Sequence, residues 1–317
     1  MYLCHCRSLG LIFSLPTTTH YLLPTTHFLK MVASATFIEG IIRYYEKASE
    51  ANRSTPGRRG CIVELSPETC DELMVTGDLH GHRRNFNLIT KKADLANHPR
   101  RHLVLQEACH GGLTYPDDGG CMSHAVVEDI AQLKTQFPDR VHFILGNHEL
   151  AEIGDYPIQK NRKMLNLLFR LGMQTMYGDR ADEVRDAMLR FFRTCPIAIR
   201  AQQVFISHSV PEACDRRPFD VSLFDRTLTD EDFIQRGSLF RLVWGRDYRP
   251  ENADLFASLV GAQVLINGHE PCANGYNAPN HRQLILDCCG GFSCSVTFPM
   301  DNTLDLNAIA RRVERLG

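Results

Sequence analysis

The chain has 317 residues, 44% hydrophobic and 23% charged, an ordinary globular mix that allows one large α/β domain or two smaller ones. Its 35 basic and 37 acidic side chains leave a formal charge of −2, which excludes a general polyanion binder, so no nucleic-acid partner is expected. No apolar run reaches the roughly 20 residues that cross a bilayer, so no membrane partner is expected either.

Residues 1–30, MYLCHCRSLGLIFSLPTTTHYLLPTTHFLK, carry one early arginine and a short apolar run before Pro16, a poor match to a secretory signal. The stretch echoes itself in LPTTTHYLLPTTHFL and has no helical period. We expect residues 1–35 to be an N-terminal extension, either disordered or upstream of a true start at Met31, and residues 36–317 to form a single domain. The twelve cysteines lack paired CxxC spacing: Cys4 and Cys6 flank one residue, and Cys288 adjoins Cys289. Reduced, mostly buried thiols in a cytoplasmic protein are expected, in preference to a zinc ribbon or a disulfide framework.

From Met31 a helix is predicted on the spacing of Phe37, Ile41, Ile42 and Tyr45, followed by a loop over ANRSTPGRRG. A repeated event comes next. In ELMVTGDLHG, HLVLQEACHGG, VHFILGNHE, QVFISHSVP and QVLINGHEP a short apolar run stops at a residue able to bind metal. Such runs read as buried strands, and ligands in α/β sheets gather beyond the carboxyl ends of strands. RQLILDCC supplies a further core strand. Two packing helices are predicted, one over KNRKMLNLLFRLGMQTMY with Met164, Leu167, Leu168 and Leu171 inward. The other lies in RADEVRDAMLRFFRTC, with Val184, Met188, Leu189 and Phe192 inward. EACDRRPFDVSLFDRTLTDEDF has no period and reads either as a loop over the site or as a surface connection.

Asp78 and His80 in GDLHG place a carboxylate and an imidazole at one strand end. GNHE adds the amide oxygen of Asn147 and the imidazole of His148, and His208 and His269 follow two later strands. Carboxylate, imidazole and amide oxygen together suit Mn²⁺, Fe or Zn²⁺ better than a thiolate-loving ion. Five such strand ends argue for one convergent site in an α/β fold.

In this order GDLHG, GNHE, SH and NGHEP resemble the motifs of the calcineurin-like metallophosphoesterases, above all the phosphoprotein (Ser/Thr) phosphatase branch and its bacterial relatives. FRTCPIAIRAQQVFISHS and VWGRD add to the likeness, which runs from about Leu73 to Pro299. It implies two packed mixed β-sheets flanked by helices, and two divalent metal ions, with Mn²⁺ favoured. Asp78 and His80 would hold one ion, and Asn147, His208 and His269 the other. A carboxylate from the second motif would bridge them. His148 would protonate the leaving alkoxide, and Arg246 would hold phosphate oxygens. Arg83 and Arg84 are further phosphate candidates. The expected activity is hydrolysis of phosphomonoesters, phosphoprotein among them, by a metal-activated hydroxide. The partner would be a phosphorylated protein or small molecule. Rival readings are a dinucleoside polyphosphate hydrolase and a metal-binding pseudophosphatase that recognises phosphorylated partners.

The second motif departs from the family pattern. Where relatives have GDxxDRG this chain has QEACHGG, which aligns Glu107 with the bridging Asp, His110 with the second Asp and Gly111 with the Arg. Glu107 is expected to bridge despite its extra methylene. His110 cannot supply the negative charge that steadies the acid histidine. Four readings stay open: the acid is weaker here, another carboxylate stands in, with Asp117 and Asp118 near in sequence, His110 is an added metal ligand, or His110 is a phosphate donor replacing the missing arginine.

Overall fold

The computed structural model describes residues 33–301 and 304–317. Residues 1–32 of the expected extension, with Cys4 and Cys6, lie outside the described residues. Ser34 caps the first helix, α1 (Ala35–Ser54), its hydroxyl accepting from Phe37 N at 3.3 Å. Helix α1 buries Ile38, Ile41, Tyr45 and Ala48, whereas Phe37 is exposed, so the apolar stripe begins one position later than expected. The helix also runs through ANRS, expected as loop, because Asn52 turns inward and donates to Thr194 Oγ1 at 3.1 Å.

After α1 come β1 (Arg58–Arg59), β2 (Ile62–Leu65), β3 (Glu72–Asp78), α2 (Arg83–Ala93), β4 (Arg101–Gln106), α3 (His124–Gln136), β5 (Val141–Ile144) and α4 (Asn147–Ile153). A hairpin of β6 (Gln159–Lys160) and β7 (Lys163–Met164) leads into α5 (Leu165–Tyr177), α6 (Ala181–Phe192), β8 (Ala198–Ala201) and β9 (Val204–Ser207). The last third holds α7 (Ser238–Trp244), α8 (Pro250–Leu259), β10 (Val264–Asn267), β11 (Tyr276–Asn277), β12 (Gln283–Leu286), β13 (Cys294–Pro299), α9 (Leu306–Ala310) and β14 (Val313–Arg315).

Two mixed sheets result, in the orders β1-β2-β8-β9-β10-β12-β11 and β14-β13-β3-β4-β5. Alternate residues explain how they pack. Val75 and Val104 face Val63, Ile199, Ile206 and Ile266 of the other sheet, while Met74, Leu103 and Leu105 turn outward against Tyr45 and Ile130 of α1 and α3. Strands covered on both faces must be apolar throughout, which is why their sequences read as unbroken runs. The sheets touch where Asp78 forms a bridge with Asp287, and Cys288 N donates to Asp78 O at 3.0 Å.

Two expectations fail around α5. KNRK is the hairpin turn, with Asn161 and Arg162 both left-handed, at φ 51° and 61°. The helix then buries Asn166, Phe169 and Met173 and leaves Leu167 60% exposed, so the predicted leucine face is largely the wrong one. The reason is Asn166, a polar residue drawn inward by a buried carboxylate described below. Helix α6 buries Val184, Met188 and Phe192 as expected, together with Phe191. The aperiodic segment before α7 sends Phe219, Leu223, Phe224 and Phe233 into the core. It is a packed connection. The ten described cysteines form no disulfide, and eight of them are buried. Among the described residues no helix is long and apolar enough to cross a membrane.

Candidate metal centre

All five expected strands form, and their carboxyl ends converge. β3 ends on Asp78, β4 stops one residue before Glu107, β5 runs out just ahead of Asn147, and β9 and β10 lead into His208 and His269. Asp78, His80, Glu107, Asn147, His148, Arg246 and His269 line one cavity. His208 is fully buried beneath it, with Nε2 2.7 Å from Glu107 Oε2.

Hydrogen bonds on the far side of each ring aim the imidazoles. His208 Nδ1 faces Gln106 Oε1 at 3.0 Å, so that nitrogen donates there and Nε2 is the one that faces the centre. His80 Nδ1 likewise faces the Cys109 carbonyl at 3.1 Å, leaving Nε2 3.9 Å from Glu107 Oε1. His269 is steered by its backbone, whose N–H donates to Asp78 Oδ2 at 2.8 Å, and its Nδ1 lies 3.2 Å from His208 Nε2.

What meets in the middle is a set of acceptors. Asn147 Oδ1 lies 2.8 Å from His208 Nε2 and 2.9 Å from His269 Nδ1, and the Glu107 oxygens stand 3.2 and 3.3 Å away. Buried Asp78 Oδ1 has no hydrogen-bond partner. Buried acceptors without donors are costly, and a cation relieves them. Turning the Asn147 amide would supply donors, but only by pointing its NH₂ at two imidazoles and a carboxylate already aimed for a cation. The residues therefore fit a metal. Two donor groups share Glu107, one with His80 and His148 and one with His208 and His269.

The electrostatics agree. Burial raises the Asp78 carboxyl well above the usual range, and the neighbouring Glu107 charge raises it further. Burial also works against ionising Glu107, yet the imidazoles of His208, His148 and His80 outweigh it and hold that carboxyl well below its usual value. Burial opposes a charge on His208, but Glu107 and Asp78 together lift it to about 9, so a second hydrogen on Nε2 takes the place that a cation would fill. Two carboxylates in so small a space call for positive charge.

Sequence reasoning missed the residues that hold this geometry. Glu149, fully buried on α4, accepts from Ala108 N and Cys109 N at 2.9 Å each and from Gly146 N at 3.2 Å. It pins the loop that carries Glu107. Gln106, at the position of the family glycine, orients His208. Asp287 accepts from Cys289 N and Cys272 N and joins the cavity wall. Lys160 and Trp244 also line it. The usable signal for Glu149 was its place in GNHE. The others carried none.

At the divergent second motif, His110 is buried and does not line the cavity, so neither the added-ligand nor the phosphate-donor reading fits it. Its Nδ1 lies 3.0 Å from His148 Nδ1, and its Nε2 lies 2.9 Å from Glu152 Oε1. The stand-in carboxylate is thus neither Asp117, which is exposed, nor Asp118, which binds Gly120 N and the Thr175 hydroxyl. Glu152 lies four residues beyond His148, on the same face of α4, a spacing visible in the sequence. Gly111, aligned with the missing arginine, lies against the backbone of His80 with no room for a side chain.

Arg246 reaches the cavity while its Nε donates to Glu270 Oε1 and its NH2 to His269 O. Arg83 and Arg84 do not line the cavity; Arg83 forms a two-pronged pair with Asp129 at 2.7 and 2.9 Å.

Three comparisons bear on this arrangement. The calcineurin-like phosphoesterase family model matches residues 72–273. A probable serine/threonine-protein phosphatase of Encephalitozoon cuniculi is 26% identical over 251 residues, which are 71% of this chain and 48% of that protein. The chain therefore spans about half the length of this curated relative. Among solved structures, a Saccharomyces cerevisiae serine/threonine phosphatase with similarity to human phosphatase PP5 aligns with a TM-score of 0.61 at 15% identity, covering 82% of each chain. The cold-active protein-tyrosine phosphatase of a psychrophilic Shewanella aligns at 0.56 with 13% identity, covering 84% of each. At these identities the solved structures speak for the fold.

Proposed function

The chain belongs to the calcineurin-like phosphoesterase family, and from that premise we propose that it is a hydrolase of the Ser/Thr phosphatase type, acting on phosphomonoesters at a two-metal centre. Asp78 and His80 would hold one cation and Asn147, His208 and His269 the other, with Glu107 the carboxylate common to both groups. Mn²⁺ fits the mixed oxygen and nitrogen donors, with Fe and Zn²⁺ as alternatives. Bound there, the cations would supply the nucleophile and clamp the phosphate oxygens. The chain's own residues do the rest. Arg246 steadies the phosphate with its guanidinium fork, and His148 gives a proton to the departing oxygen. Its Nε2 lies 3.4 Å from Glu107 Oε1, on the cavity side of the ring.

The observation that carries this reading is the meeting of the Glu107 carboxylate, the Asn147 amide and the His208 and His269 nitrogens around one point, beside the unpartnered Asp78 Oδ1. The test is metal content of the purified chain, followed by hydrolysis of a small aryl phosphate with Mn²⁺. Wild type should bind two ions per chain and depend on them. Glu107→Gln should lose most bound metal and at least about 100-fold in rate, as when charge stabilisation at the reacting centre is removed. Undiminished activity in that variant, or activity without metal, refutes the assignment.

A further inference from the structure

Helix α4 is buried along its whole length, so its polar side chains must find their partners inside the protein. Two of them lie either side of His110. Glu152 Oε1 accepts from His110 Nε2 at 2.9 Å and from Asn166 Nδ2 at 2.8 Å. Its other oxygen accepts from Arg185 at 3.2 Å. Arg170 Nε lies 3.9 Å from that second oxygen. Both His110 and Glu152 have fully buried side chains.

The proton positions follow from donor and acceptor counts. Burial works against ionising Glu152, but the His110 hydrogen bond and the charges of Arg185 and Arg170 prevail and keep its carboxyl below the usual value. An ionised carboxylate only accepts, so His110 Nε2 carries a hydrogen. Neutral His110 then has a bare Nδ1, and the Nδ1 of His148 opposite, at 3.0 Å, must donate. That leaves His148 Nε2 free to face the cavity.

We infer that Glu152 is a positioning residue that acts through His110, the two replacing the single carboxylate that relatives place behind the acid histidine. The inference rests on the phosphatase reading above. His148 acts as the acid with a hydrogen on both nitrogens: the Nε2–H bond breaks with its electron pair staying on the ring, the hydrogen bonds to the leaving oxygen, and the Nδ1–H form that remains is the one His110 accepts from. Glu152 fixes that arrangement through His110, whose Nε2 is held as its donor and whose Nδ1 is left to accept from His148. The position of the proton matters only when the leaving oxygen needs one. A second contact extends the reach of the same carboxylate: Asn166, which donates to Glu152, accepts from Ile158 N at 2.7 Å, and Ile158 forms part of the cavity wall.

The experiment compares wild type, Glu152→Gln, His110→Asp and the double variant, each loaded with Mn²⁺ and checked for metal stoichiometry. Two substrates are used: 2,4-dinitrophenyl phosphate, whose phenolate leaves without a proton, and a phosphoserine peptide, whose alkoxide needs one. Glu152→Gln should lower kcat on the peptide by about 10²-fold, the lower end of general acid catalysis, with KM unchanged and little change on the aryl ester. In the Glu152→Gln background His110→Asp should restore most of the peptide rate, because an aspartate oxygen lies at the same bond distance from Cβ as Nδ1. Equal losses on both esters, or none, overturn the proposal.

A readout without turnover accompanies it. Imidazole ¹⁵N spectra should find His110 protonated at Nε2 and His148 at Nδ1, and His110 protonated at Nδ1 with a bare Nε2 overturns the proposal. A wild type inert on both esters, with these tautomers present, would defeat the phosphatase reading and support the relay.

Discussion

Gly111 offers a sharp test, because family resemblance and geometry disagree about it. By resemblance an arginine belongs there, and Gly111→Arg should restore a phosphate contact. In the structure a Cβ at this position would stand 2.5 Å from the His80 carbonyl oxygen and 2.9 Å from His80 Cβ. Carbon–oxygen contacts settle near 3.3 Å, so the His80 backbone would have to retreat by about 0.8 Å. His80 has little freedom to do so. Its φ is +42°, its amide donates to Glu107 O at 2.9 Å, and its ring is tied to Cys109 O. Metal–ligand distances hold to within about 0.2 Å, so the displacement spoils a donor. Gly111→Ala should therefore weaken metal binding by about 10–100-fold, the scale of losing an outer partner of a metal ligand, and Gly111→Arg by at least as much. The assay is Mn²⁺ titration by calorimetry together with kcat and KM on an aryl phosphate. A Gly111→Arg protein that binds metal like wild type and shows a lower KM refutes the steric argument.

Two predictions concern stability. His102 and His142 are buried near the starts of β4 and β5, with His102 Nδ1 3.0 Å from His142 Nε2. Burial lowers His102 to about 4 and His142 well below its usual value. Below the unfolded value near 6.5 the unfolded chain binds protons that the folded chain refuses, so stability falls as pH drops from 6.5 towards 4. Each histidine contributes up to about 1.4 kcal/mol per pH unit in that window. Urea midpoints at pH 7 and 5 should differ less in His142→Gln than in wild type, and equal differences contradict the account. Replacing Glu149 by Ala strands the amides of Ala108, Cys109 and Gly146, which costs at least about 3 kcal/mol at 1–3 kcal/mol per orphaned group. A urea midpoint unchanged from wild type would show that this carboxylate is not what holds the loop.

The strand ends were legible because their chemistry is abrupt. An apolar run buried on both faces cannot continue into Asp78, Glu107 or His269 without a change of environment, and the sequence marks each change. Helix faces were less legible where polar residues turn inward. Asn166 serves Glu152, so α5 buries an amide and exposes Leu167, and a count of apolar periodicity runs the other way. Glu152 itself was readable from its spacing to His148. Asp117 and Asp118 lie nearer to His110 in sequence, but they are exposed or bonded elsewhere.

The backbone at the site carries a further cost that residue types do not reveal. His80, Glu107, His110 and His269 all have positive φ, between 42° and 69°. For side chains of this size the left-handed region costs about 1–2 kcal/mol per residue, so four such residues persist only if the surroundings over-determine them. They do. Glu107 O accepts from Leu79 N and His80 N, Ser123 Oγ accepts from His110 N, and Asp78 accepts from His269 N. These bonds link the donors through backbone as well as through side chains. Moving Glu107 therefore moves His80, and moving Asp78 moves His269. A site coupled in this way accommodates the extra methylene of Glu107 only if the loop is rebuilt around it. Gln106 at the family glycine, Gly111 packed against His80, and His110 reaching back to Glu152 are three parts of that rebuilding, and reverting any one of them singly should harm the site.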